Sequence, residues 1–291
     1  MKSADFRLAA RARDQDCADR VVAEVWAVGA LGVEEAAGDR GVDLLIYLDR
    51  QGEAAIRGAL SELASEGVVT GELEVLKDLD WSEAWKEGLE SLIISPRLVV
   101  RPSFVAHDLL PGQQEVIVDP GQAFGTGGHE STRLILDWLD GLLDGAEPPR
   151  RVLDVGTGSG VLALAALKLG AHSALGFDLD RGAVREAGEV SRVNGLGDKL
   201  SLFAGPIQAL AVGGFDLVLV NLLRSEMLPI AKEIVGTLSG DGRLVLSGLL
   251  ESDREEVLAA FAEEGLSPLA EGARRDASGA QWISPLLGFS G

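Results

Sequence analysis

From Leu134 onward, unbroken apolar strands alternate with amphipathic helices, and this alternation is the strongest constraint on what the chain can fold into. A strand buried on both faces reads as a continuous apolar run, and the helices between such strands must cover those faces. The pattern predicts a mostly parallel, doubly wound α/β sheet of the Rossmann-like kind. Its first unit is RVLDVGTGSGVLALAALKLGA, from Arg151 to Ala171: a buried strand, a glycine turn, then a helix from about Gly160 to Leu169. Free amides at such a helix start point outward, and glycines let a ligand come close.

The spacing in that turn selects among ligands. A dinucleotide site wants G-x-G-x-x-G, but Val161 stands three residues after Gly158, so that reading fails. The pattern is Asp154-x-Gly156-x-Gly158-x-Gly160. A carboxylate beside the turn disfavours a pyrophosphate and suits a ligand with an ammonium or a sulfonium. S-adenosyl-L-methionine carries both. The next strand, ending in GFDLD, places Asp178 where an acidic group can accept hydrogen bonds from both ribose hydroxyls. The competing role for Asp178 is a helix N-cap, which Asp180 fills equally well.

FDLVLVNLL, Phe215 to Leu223, is a further apolar strand that ends in Asn221 at the carboxyl edge of the sheet. A side-chain amide leaving a buried strand is costly unless it is bonded. Its oxygen, with a neighbouring backbone carbonyl, suits a substrate amine whose lone pair must face a methyl donor; a plain turn role is the alternative. Upstream lies a second glycine-rich stretch, DPGQAFGTGGHEST, Asp119 to Thr132. No lysine follows its glycines, which excludes a phosphate P-loop. Ser131 and Thr132 open the helix STRLILDWL, with hydroxyls in reach of a cofactor or the reacting centre. His129 is either a base or, more commonly beside a helix start, a cap. Phe124, Thr126 and His129 are expected to form a lid over substrate and cofactor.

The first 75 residues read as β-α-β-β-α-β, the split-βαβ order of ferredoxin-like α+β domains. FRLAAR, GVEEAA, VDLLIYL and GELEVL are the strands, with a turn at Gly38-Asp39-Arg40-Gly41; the first helix is expected to bury Val21, Val22, Val25, Trp26 and Gly29. That fold also hosts RNA readers. Here it holds eight Lys/Arg against fifteen Asp/Glu, and its strands lack the set of aromatics an RNA-stacking sheet needs, with only Phe6 and Tyr47 on them. Residues 76–95 are expected to form a helical linker in which Trp81 and Trp85 share a face as packing anchors, with ligand stacking the alternative. Residues 96–291 complete the catalytic domain.

The net charge of −20 repels phosphate backbones and favours a basic partner, so no direct nucleic-acid binding is expected. No apolar run approaches membrane-spanning length, and MKSADFRLAARARDQD lacks the apolar core of a secretory signal. One cysteine, Cys17, suits a reducing cytoplasm, and three scattered histidines offer no metal spacing.

With these residues assembled, the sequence resembles the bacterial PrmA family, the methyltransferases of the eleventh large-subunit ribosomal protein. The resemblance runs from about Asp80 to Trp282. It is carried by DWSEAWKEG, ISPRLVVRPS, DPGQAFGTGGHEST with Trp138 in the helix that follows, VLDVGTGSGVLALAALKLGA, GFDLD and DLVLVNLL. The stretch DPG-x-AFGTG-x-H is the most specific, because general methyltransferases lack it. The resemblance implies a class I S-adenosylmethionine-dependent methyltransferase domain behind an N-terminal ferredoxin-like domain that recognises the substrate, joined by a helical linker. It implies cofactor contacts at Thr132, Gly156, Asp178 and Asn221, and methylation of lysine side chains and a terminal amine. The partner it implies is a basic ribosomal protein, free or before assembly. Thr157 stands where many relatives carry cysteine, and Arg224 and Glu226 in LLRSEM receive no role. A protein lysine methyltransferase with another target is the alternative; a cofactor-binding module without turnover and a nucleic-acid methyltransferase fit less well.

Overall fold

The computed structural model describes residues 6–38, 41–49, 52–75, 89–119, 128–145, 148–210 and 213–289. The chain divides into two compact units, Met1–Gly88 and Leu89–Gly291.

In the first unit the elements are β1 (Phe6–Ala12), α1 (Gln15–Ala27), β2 (Gly32–Gly38), β3 (Gly41–Leu48), α2 (Glu53–Glu62) and β4 (Val69–Val75). The strands pair antiparallel in the order β2-β3-β1-β4, the split-βαβ arrangement that the element order predicts. The period of two sends Phe6, Leu8, Ala10 and Ala12 of β1 and Leu44, Ile46 and Leu48 of β3 to one face. There they meet Val21 and Val25 of α1 and Ile56 and Leu60 of α2. Asp14 caps α1 by accepting the Cys17 N–H at 2.9 Å. The buried stripe of α1 is narrower than the sequence suggests. Trp26 is 52% exposed and Gly29 lies beyond the helix, because the buried row follows Cys17, Ala18, Val21 and Val25.

The second unit opens with a three-stranded sheet: β5 (Leu92–Ile93), β6 (Leu98–Arg101) and β7 (Gln114–Ile117). Residues 89–95 therefore carry a short strand and no helix; residues 76–88, with Trp81 and Trp85, lie outside the described residues. Then come α3 (Glu130–Leu142), β8 (Arg151–Val155), α4 (Val161–Lys168), β9 (Ser173–Asp178), α5 (Arg181–Val193), β10 (Leu200–Ala204) and β11 (Phe215–Asn221). The chain continues through α6 (Arg224–Met227), α7 (Ala231–Gly236), β12 (Leu238–Ser247), β13 (Leu249–Leu250), α8 (Arg254–Glu263), β14 (Leu266–Arg275) and β15 (Gln281–Phe289). The main sheet runs β10-β9-β8-β11-β12-β15-β13, with β14 on β15. The five strands from β10 to β12 are parallel, and β15 joins β12 antiparallel.

Each central strand feeds two cores in alternation. Val152, Leu217 and Leu219 pack with α3 and α4, while Leu153, Val155, Val218 and Val220 pack with α7 and α8. Such double burial is what the unbroken apolar runs encode. The order reverses between β8 and β11, so a crevice opens at their carboxyl ends. Buried Asn194, at the end of α5, accepts the Ile117 N–H at 2.8 Å and donates to the Ile117 carbonyl at 2.7 Å. Asp119 accepts from both the N–H and the hydroxyl of Ser103. These bonds fix the chain where it enters the second glycine-rich stretch; residues 120–127, Phe124 and Thr126 among them, lie outside the described residues.

Candidate active site

The glycine turn between β8 and α4 requires backbone that side chains resist. Gly156, Gly158 and Gly160 have φ of +70°, +53° and +82°. A Cβ on Gly156 would sit 2.6 Å from Leu222 Cδ2, so the turn and the end of β11 touch through a missing side chain. The Gly158 N–H donates to Asp178 Oδ2 at 3.0 Å, and Asp178 Oδ1 accepts the Asp180 N–H at 3.0 Å. Asp180, not Asp178, caps α5, accepting the Gly182 N–H at 2.7 Å. Asp178 is thus held by backbone amides with its carboxylate at a cavity wall.

That cavity has a volume of about 520 Å³, within the range of small-molecule sites. It brings together Thr132, Gly156, Gly158, Asp178, Asn221 and His129, all expected from the sequence. Asn221 Nδ2 donates to Thr132 Oγ1 at 3.1 Å. Thr132 is fully buried, so this bond anchors the amide of the half-buried Asn221, whose oxygen accepts no hydrogen bond from the described residues. His129 is the N-cap of α3: its Nδ1 accepts the Ser131 N–H at 3.2 Å, and its ring meets Trp282 edge-on at 4.6 Å.

Asp154, the other carboxylate expected at the cofactor, is set back from the wall. It does not line the cavity and is 1% exposed. Val152 packs against the α3–α4 side, and the period of two turns Asp154 the same way, toward the start of α4. Gly160 at the N-cap of α4 has no side chain to offer, so Asp154 Oδ2 caps the helix from the strand. It accepts the Ala163 N–H at 3.3 Å and the Thr157 hydroxyl at 2.7 Å. Its Oδ1 is buried and has no hydrogen-bond partner among the described residues. Burial pushes this carboxyl up to about 6; the bonds from Thr157 and Ala163 oppose that rise, and the Asp178 charge adds to it.

Several wall residues escape sequence reasoning: Leu222, Leu223, Glu226, Gly248 and Trp282. Trp282 comes from β15, and its Nε1–H donates to Asp276 Oδ2 at 2.9 Å. Gly248 has φ of +82°, and a Cβ there would lie 2.4 Å from the Leu222 carbonyl oxygen. Neither placement has a local sequence signal: Trp282 meets His129 from a strand far along the chain, and Gly248 approaches Leu222 from the end of β12.

A parallel sheet reversed at β8 and β11, an antiparallel β15 beside β12, and a glycine turn facing an acidic strand end define a class I S-adenosylmethionine-dependent methyltransferase fold. The chain belongs to the family described as ribosomal protein L11 methyltransferase (PrmA), whose model matches residues 18–276. It is 42% identical over 200 residues to the ribosomal protein L11 methyltransferase of Syntrophotalea carbinolica, covering 69% of this chain and 65% of that one. With the enzyme of the same name from Geobacter sulfurreducens the identity is 39% over 196 residues, covering 67% and 63%. The alignments thus span slightly less than two thirds of these relatives. A crystal structure of ribosomal protein L11 methylase from Lactobacillus delbrueckii subsp. bulgaricus superposes with a TM-score of 0.61 at 28% identity, covering 69% of this chain and all of that one.

Proposed function

We propose that the protein is an S-adenosylmethionine-dependent N-methyltransferase acting on lysine side chains and the terminal amine of the eleventh large-subunit ribosomal protein. One observation carries this reading: the glycine turn, Asp178 and an Asn221 amide anchored by Thr132 converge on a single cavity. The names of the relatives support the choice of substrate. The bound cofactor supplies an electrophilic methyl group on a sulfonium. Gly156 and Gly158 let it approach the backbone, and Asp178 accepts from its ribose hydroxyls. Asp154 keeps the turn and the start of α4 in register beneath it. Asn221 presents its side-chain oxygen to the incoming amine and aligns the nitrogen lone pair with the methyl group. In-line transfer needs an approach of roughly 3–3.5 Å and a neutral nitrogen. Desolvation in the cavity lowers a lysine pKa and so favours that neutral form. With the cofactor held by the turn and Asp178, Asn221 would keep the amine oriented while the amine gives up its proton to solvent.

In this reading residues 96–291 catalyse and residues 1–75 recognise the ribosomal protein, in its free form and in the cytoplasm. The acidity of the chain fits a basic protein partner better than RNA. No helix among the described residues is long and apolar enough to cross a membrane. Incubation with methyl-labelled cofactor and purified ribosomal proteins tests the proposal. Label in the eleventh large-subunit protein is expected; label confined to another protein supports a lysine methyltransferase with a different target, and label in RNA refutes the amine reading.

A further inference from the structure

The segment after Asn221, LLRSEM, carries two charges that the reaction outlined above leaves unused. They are disposed differently. Arg224 does not line the cavity; its Nε lies 3.3 Å from Asp253 Oδ1, and its guanidinium also bonds Glu256 of α8. The loop's only cation is therefore neutralised from outside the site. Glu226 does line the cavity, and it is exposed. Its Oε2 accepts the Leu223 N–H at 3.3 Å, a long bond that leaves the carboxylate facing solvent. Among the described residues no lysine or arginine pairs with it, and none lines the cavity.

Two other carboxylates share the wall, Asp178 and Asp180, but both are engaged. Asp178 accepts two backbone N–H groups, and Asp180 caps α5. They also leave the sheet from β9, whereas Glu226 follows β11, with β8 between. Two strand spacings separate those exits by about 10 Å. The Glu226 charge thus stands on the Asn221 side of the cavity, away from the ribose side. Leu223, also on the wall, is 59% exposed. An exposed leucine beside an unneutralised carboxylate matches a side chain with an apolar stem and a cationic head.

We infer that Glu226 receives the substrate ammonium at the cavity rim, with Leu223 against its methylenes, and thereby selects lysine-type amines; this rests on the amine-methylation reading above. The test uses the full chain, the purified eleventh large-subunit ribosomal protein, and two variants, Glu226→Gln and Glu226→Lys. Glutamine keeps an oxygen for the Leu223 N–H and so removes the charge without removing the cap. For Glu226→Gln, KM rises about threefold to fivefold at low salt, with the loss on KM rather than kcat and with cofactor affinity retained. The gap closes at roughly 0.5 M salt, where the Debye length falls to a few ångströms. Glu226→Lys raises KM by more than about tenfold, since repulsion replaces attraction. Equal KM in both variants and wild type overturns the inference, as does a salt-independent loss or a loss of cofactor affinity instead. Wild-type protein that transfers no methyl to any amine overturns the underlying function, a result distinct from active variants that match wild type.

Discussion

Replacing Asp154 by asparagine isolates what it takes to bury a carboxylate beneath the glycine turn. The folded carboxyl titrates near 6 against an ordinary 3.8, because burial outweighs its bonds to Thr157 and Ala163. Between those values the folded chain binds more protons than the unfolded one, so stability falls as pH rises through 6. The full difference is about 3 kcal/mol, present below the unfolded value and lost above the folded one. Acidifying from about pH 7.5 to about pH 5 should recover about 1 kcal/mol from this residue. Asparagine keeps an acceptor for Thr157 and Ala163 and does not titrate. Its amide nitrogen takes the position of the unpartnered Oδ1, a cost that is constant with pH and leaves the slope untouched. Urea unfolding of both proteins across that interval reads the difference. If their stabilities move in parallel with pH, Asp154 is not a buried, up-shifted carboxyl and the capping account fails.

Three other substitutions probe the cavity wall. Asp178→Ala should weaken cofactor binding by about 1–3 kcal/mol in calorimetry, since the ribose hydroxyls lose their acceptor and the Gly158 amide its anchor; unchanged affinity removes Asp178 from the site. Thr132→Val keeps the volume but frees the Asn221 amide, and turnover should fall about fivefold or more while cofactor affinity holds; a loss confined to cofactor affinity would make Thr132 a direct contact instead. Gly156→Ala forces a side chain to a φ of +70° and to 2.6 Å from Leu222, so cofactor affinity should drop by about tenfold with the circular dichroism spectrum unchanged. Wild-type affinity in that variant would mean that Leu222 yields and the turn is not a tight cradle.

What the sequence discloses about this site follows from locality. Gly156, Gly158, Asp178 and Asn221 sit at strand ends, and a parallel sheet delivers strand ends to one edge whatever the loops do. Asp180 as the cap of α5 resolves, through one bond to Gly182, an ambiguity the sequence leaves open. The D-x-G-x-G-x-G pattern does not reveal that Asp154 shares a strand face with Val152 and bonds the start of α4. Trp282 and Gly248 were out of reach, because an antiparallel strand added late in the chain brings one of them in and a backbone contact with Leu222 requires the other. The diversion of Arg224 depends on Asp253 and Glu256, about thirty residues downstream, so the loop LLRSEM reads as charge-balanced until the fold separates its two charges. In the first unit Trp26 shows the same limit: helical phase near a terminus does not specify which large residue the core retains.

The most direct test of the central claim is mass spectrometry of the eleventh large-subunit ribosomal protein after incubation with this protein and S-adenosylmethionine, run beside Asn221→Ala. The account predicts mass increments of whole methyl groups that map to lysine side chains and the terminal amine, and their loss in the variant despite retained cofactor binding. An unmodified ribosomal protein, or full methylation by Asn221→Ala, would contradict it.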